Sequence, residues 1–250
     1  MPVRSAARTD VGRKRTLNED AYLVDDEIGL YLVADGMGGH AAGEVASAEA
    51  VSTAYGMVKQ AQPTLAKLEA PLDEAQMRAA KRLMESAIQA ATYMVYTLAE
   101  LDREKSGMGT TITGLLVLGD HAVTAQVGDS RIYQIRQGAA QQITEDHTLI
   151  AYQLREGLIT AEEARRSPHK NVITRAVGNR DYVQVDTNIV ALERGDAYLV
   201  CSDGLHGYLR AAEIPEIVAR GGLVAVDRLI ELANERGGKD NITAILVEID

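Results

Sequence analysis

With 250 residues, 46% of them hydrophobic, the chain is long enough to bury a full core and is expected to form one domain rather than two small ones. It carries 36 acidic against 26 basic side chains, a formal charge of −10, which argues against a surface that draws in nucleic-acid backbones and makes cations the natural guests. Phe and Trp are absent and Cys201 is the only cysteine, so an aromatic platform for single-stranded nucleic acid, an internal disulfide and a cysteine-based zinc site are all excluded.

Met1 to Asp10 contain no apolar stretch resembling a signal peptide, and no run approaches the length of a membrane span. A reducing cytoplasm, with no membrane and no nucleic-acid partner, is the expectation. Short Val/Ile/Leu runs and apolar alternation predict strands at about 3–9, 20–25 and 29–34. A helix follows, with Val45, Ala48, Val51, Tyr55 and Val58 on one face, then a second with Met77, Met84, Ile88, Ala91, Val95 and Leu98 on its own. Strands come next at about 110–118, 121–127 and 131–136. Residues 144–181 are polar and broken by Gly157 and Pro168, which marks a surface excursion with short helices, a candidate flap. Strands at about 183–190 and 196–201, a helix carrying Val226, Leu229, Ile230 and Ala233, and a strand at about 242–249 complete the chain. Strands grouped before and after a helical pair do not alternate as βαβ units, so an antiparallel α+β layering is expected.

Five segments place an acidic residue at the edge of an apolar strand: Asn18-Glu19-Asp20, Asp35-Gly36-Met37-Gly38-Gly39-His40, Gly128-Asp129-Ser130, Ser202-Asp203-Gly204 and Asp240-Asn241. Each alone is ordinary turn chemistry, since Asp bonds its own backbone and Gly accepts positive φ. Hairpin turns would scatter over both ends of the sheets. If the five instead gather at one end, they suit Mg²⁺ or Mn²⁺, which take oxygen ligands and keep several waters. Two such ions about 3.5–4 Å apart can generate hydroxide at neutral pH, so no protein nucleophile is needed.

In this order and spacing, the segments, with Asp10-x-Gly12-x-x-Arg15 before them, resemble the motifs of the type 2C metal-dependent serine/threonine protein phosphatases, compact bacterial type. The resemblance covers nearly the whole chain. It implies an antiparallel β-sandwich flanked by helical pairs, four layers in the order αββα with a flap subdomain, and two Mn²⁺ or Mg²⁺ ions at one end. By position it implies Asp35 as the bridging ligand, Glu19 and the Gly36 carbonyl on one ion, Asp203 and Asp240 on the other, and Asp129 with Asp203 on a third, weaker ion. Asp20 would orient water, and Arg15 would grip the substrate phosphate with its planar fork. The implied reaction is attack of a metal-bridging hydroxide on phosphoserine or phosphothreonine in proteins, opposing a serine/threonine kinase, by a monomeric enzyme. Some members carry a histidine where this chain has Met37, so the proton donor to the leaving group is unassigned, with His40 as the nearby candidate. Asn171-x-Ile173-Thr174-Arg175-Ala176 resembles the family's flap segment. His147 and His169 beside it are read as solvated loop residues with no catalytic role.

Rival chemistries find less support in the residues. A Cys-x₅-Arg loop from Cys201 would need arginine where Gly207 stands, and Cys201 reads as a small buried apolar residue. Gly238-Lys239 lacks the glycine-rich lead of a phosphate loop. A degenerate binding module should have lost a ligand, whereas the set is intact. A small-molecule phosphomonoesterase using the same ions stays open.

Overall fold

In the computed structural model, residues 1–37, 42–68, 70–169 and 171–250 are described. Two antiparallel sheets stack face to face. One has the order β1-β11-β10-β7-β8, formed by Val3–Asp10, Ile242–Ile249, Ala197–Cys201, Arg131–Arg136 and Ala139–Gln142. The other has the order β2-β3-β5-β6-β9, formed by Asp20–Asp25, Leu30–Met37, Ile112–Leu118, His121–Val127 and Asp186–Ala191, with short β4 (Gly109–Thr110) beside the end of β3.

The central strands read as unbroken apolar runs because both of their faces are buried. In β3, Tyr31 and Val33 point between the sheets while Leu30, Leu32 and Ala34 point at the helices. In β11, Ile245, Val247 and Ile249 take the inter-sheet side, and Ile242, Ala244 and Leu246 the other. The helical pair α1 (Gly43–Leu65) and α2 (Glu74–Leu101) covers the second sheet, and α6 (Ile214–Gly221) with α7 (Ala225–Glu235) covers the first. Met84, Ile88, Ala91 and Val95 of α2 are buried, and Val226, Leu229, Ile230 and Ala233 of α7 are buried, as their spacing predicts. The α+β fold, an αββα sandwich, is therefore borne out.

Differences from the expected elements have local causes. The strand expected over 110–118 splits at Thr111, whose N–H bonds the Asp35 carbonyl at 2.9 Å and whose hydroxyl accepts the Asp35 N–H at 3.0 Å. The strand expected from 183 starts at Asp186, since Val183 packs into the α2 side and its N–H turns to Gln89 Oε1. Strand β8 and helix α6 were not expected. The first is four residues of Ala and Gln with little strand propensity, returned against β7 by a Gln137-Gly138 turn with φ of 51° and 77°. The second is only eight residues long. Residues 144–181 contain α3 (Leu149–Arg155) and α4 (Ala161–Arg166), capped by the Thr148 and Thr160 hydroxyls, and return to the body through the Thr148–Ile173 and Thr110–Val177 bridges, while the single turn α5 (Asp203–His206) follows β10.

Candidate metal centre

Strand pairing gathers the acidic segments. Asp20, first in β2, lies opposite Asp35 near the end of β3. In the other sheet Cys201 ends β10 opposite Ala244 of β11 and Arg131 of β7, so Asp203 follows, and Asp240 and Asp129 precede, at the same rim. Antiparallel alternation thus turns acids up to 221 positions apart into neighbours, from Glu19 to Asp240. Glu19, Asp35, Gly36, Met37, Asp129, Asp203, Asp240 and Arg15 line one cleft of about 300 Å³, and Asn171 and Ile173 of the 144–181 segment line it too. Asp20 stands behind it. His40 lies outside the described residues, so the structure does not speak to it.

Three of the acids are held from behind. Asp35 is fixed through its backbone by Thr111 and by the Thr110 hydroxyl, which donates to its carbonyl at 2.9 Å, leaving the carboxylate to the cleft. The Asp20 Oδ2 accepts from Ser202 Oγ at 2.8 Å and Thr243 Oγ1 at 2.6 Å, with Thr9 and Asn18 continuing the chain behind Thr243. Glu19 sits against the start of α1, where Gly43 N–H bonds its side chain and the Ser47 hydroxyl its carbonyl. Gly36 has no room for a side chain, because a Cβ there would overlap the Gly43 carbonyl. That close approach is why glycine is required between Glu19 and α1.

Two polar groups given no role by the sequence complete the frame. Asn241, 3% exposed, accepts the Glu19 N–H at 2.8 Å and donates to the carbonyls of Val11 and Leu17, pinning the loop that carries Arg15 to the start of β11. His206 donates Nε2–H to the Asp129 carbonyl at 2.9 Å, and burial pushes its pKa down to about 4, so it stays neutral. His206 has no motif around it beyond its place three residues after Asp203. His147 corrects the expectation of a solvated loop histidine: it is 5% exposed, accepts the Gly128 N–H on Nδ1 and donates from Nε2 to Asp186. His169 is exposed, as expected.

Crowding of like charges decides the electrostatics. Burial, then the neighbouring acids Asp20, Asp203, Asp129 and Asp240, holds the Asp35 carboxyl well above its ordinary pKa. Burial also lifts Asp20 and Asp129 to about 7, and raises Asp203 and Glu19. Only one guanidinium offsets this among the described residues lining the cleft: Arg15 bonds Asp240 at 2.9 Å and stands 3.6 Å from Glu19.

Such a donor set fits divalent cations. Oδ1 of Asp20 and Oδ1 of Asp203 are buried with no hydrogen-bond partner among the described residues, a costly state that a bound cation or its water would relieve. Among the described residues no three His, Cys, Asp or Glu side chains close into a ready-made cage. The acids line an open cleft instead, as suits hard ions that keep much of their water. Cys201, fully buried with its thiol pushed up to about 12, cannot serve as a nucleophile.

A hard-cation cleft with an arginine at its mouth, at the end of an αββα sandwich, defines a hydrolase of phosphate esters. The chain belongs to the protein phosphatase 2C family, whose model matches residues 11–246. It is 39% identical over 246 residues to the serine/threonine phosphatase stp of Listeria innocua, covering 96% of this chain and 94% of that one. Its fold is similar to the serine/threonine phosphatase of S. agalactiae, with a TM-score of 0.87, 35% identity and coverage of 99% and 100% of the two chains. It is also similar to the catalytic domain of the phosphatase PstP solved with 2 manganese ions, with a TM-score of 0.83, 33% identity and 99% coverage of both chains. A metal-dependent serine/threonine protein phosphatase, with Mn²⁺ or Mg²⁺ as cofactor and phosphoproteins as substrates, is what the residues led us to expect, and these matches bear it out.

Proposed function

We propose that this chain removes phosphate from phosphoserine and phosphothreonine in cytoplasmic proteins, as a monomer, opposing a serine/threonine kinase. The observation that carries the site assignment is the meeting of five acids and Arg15 in one cleft while two buried carboxylate oxygens lack partners. In this reading residues 1–250 form one catalytic domain, with 144–181 as a flap beside the cleft.

Asp35 would serve as the shared ligand of two ions, with Glu19 and the Gly36 carbonyl completing one set and Asp203 and Asp240 the other, and Asp129 with Asp203 would hold a third ion more weakly. When bound, Mn²⁺ or Mg²⁺ supplies Lewis-acid charge to the phosphoryl oxygens and acidifies the attacking water. Asp20, tied by Oδ2 to Ser202 and Thr243, keeps Oδ1 free to orient that water. Arg15, 46% exposed at the mouth, can swing from Asp240 onto the dianionic phosphoryl group. Met37 lines the cleft without a proton to give, so the leaving alkoxide takes its proton from His40 or from solvent.

Phosphate release from phosphoserine, phosphothreonine and phosphotyrosine peptides, with Mn²⁺ and Mg²⁺ titrated separately, tests this. Release from the first two that chelator abolishes is expected; metal-independent turnover would sink the mechanism. Asp35→Asn should lose most activity, at least about 10²-fold as for removal of a key electrostatic group, with little unfolding.

A further inference from the structure

Beside the catalytic cleft lies a second hollow of about 320 Å³, bordered by Thr174, Arg175, Asn179, Arg180, Tyr182 and Gln184. The two share a wall. Ile173 lines the cleft and its neighbour Thr174 lines the hollow. Gly109 sits between them: a Cβ built on it would stand 3.9 Å from Met37 of the cleft and 4.0 Å from Asn179 of the hollow.

Charge sets the hollow apart. Among the described residues no carboxylate lines it, in a chain of net charge −10. Arg175 gives one nitrogen, Nη1, to Asp186 at 2.6 Å. Arg180 is exposed and has no ion-pair or hydrogen-bond partner among the described residues, while Tyr182, 64% exposed, offers a bare ring next to it. Asp181 is exposed between them but stays off the lining. An unpaired guanidinium and an open ring, one wall away from the place where a phosphoresidue must lie, match an acidic side chain on the same substrate strand. An extended peptide advances about 3.3 Å per residue, so a side chain within three residues of the phosphoresidue can span about 10 Å.

We propose that this hollow is a substrate subsite that receives an aspartate or glutamate carried within three residues of the phosphorylated residue, with Arg180 as its main contact. The subsite rests on the phosphatase reading of the cleft and makes the enzyme selective for acidic phosphoproteins.

The test compares Mn²⁺-supported kcat/KM on phosphothreonine peptides that differ only by Asp or Lys at each of the three positions on either side. Wild type and R180E are measured, each normalised to its own turnover of p-nitrophenyl phosphate, which is too small to span both cavities, so loss of folded enzyme cancels. Wild type should favour the Asp peptide at one or more positions by about threefold to tenfold, the range of an exposed to partly desolvated ion pair. The preference should collapse in 1 M salt, where the Debye length is about 3 Å, and reverse in R180E. Equal rates for Asp and Lys peptides, or an acidic preference that survives in R180E, would overturn the subsite alone. Absence of Mn²⁺-dependent release from every peptide would remove the phosphatase reading and the subsite with it.

Discussion

Asn241 shows how much of a site can hang on one amide. Its three hydrogen bonds hold Glu19 N–H and two loop carbonyls, all of which would be left without that partner if the side chain were truncated. Asn241→Ala should therefore destabilise the fold by about 1–2 kcal/mol in urea unfolding, the cost of breaking hydrogen bonds to partly buried groups. It should also lower kcat/KM more than its distance from the phosphate suggests, because Arg15 rides on the loop it pins. Full activity with unchanged stability would mean the loop is held elsewhere. Cys201 gives the opposite forecast: Cys201→Ala should cost about 1 kcal/mol of packing and leave Mn²⁺-dependent turnover intact. At this scale the sequence was legible wherever a motif carried order, as with Glu19, Asp35, Asp203 and Asp240. It was silent on His206 and misleading on His147, since a histidine's partners here are a distant carbonyl and a distant amide that no local pattern encodes.

Among the elements, long ones with a single apolar face were readable, and α2 and α7 fall where their spacing places them. Strand β8 and helix α6 were not, because short segments gain their structure from what they pack on rather than from their own propensity. The segment 144–181 was recognisable by polarity, yet its anchoring was invisible. Arg131 grips Asp146 through Nε and Nη2, at 2.9 Å and 2.6 Å, at the base of this segment, with only 26% and 14% of the two side chains exposed. Asp146→Ala would leave that guanidinium mostly buried without its carboxylate. A loss of about 3 kcal/mol is expected, read by chemical denaturation, together with faster proteolysis within 149–166. Removal of both charges, as Arg131→Met with Asp146→Leu, should recover much of the stability but not the segment's orientation.

For the molecule as a whole, the carboxylates set the response to pH. Asp20 and Asp129, lifted to about 7 by burial, keep protons in the folded state that the unfolded chain has already released. Their contribution to stability is therefore present at low pH and lost as pH rises through about 7. His206 and His147, both held below the ordinary histidine value, act in the opposite sense until the unfolded histidine has lost its proton, about one unit above 6.5, so from pH 6.5 to 8.5 they offset part of the acids' effect without reversing it. In chelator, the melting temperature should fall across that window. With Mn²⁺ the fall should shrink or reverse, because cations bind the deprotonated carboxylates and the gap between loaded and stripped protein widens with pH. A metal-free protein equally stable at both ends would show that the acids are not crowded as the cleft suggests.

Strand β1 pairs along its full length with β11, Val3 against Ile249 and Asp10 against Ile242. Arg15, Glu19 and Asp35 thus lie far along the chain from Asp240 and from the Asn241 that pins the Arg15 loop. The cleft is whole only when β1 and β11 have met, a long-range contact of the kind that forms slowly. When denatured enzyme refolds in Mn²⁺, turnover should therefore return no faster than that pairing.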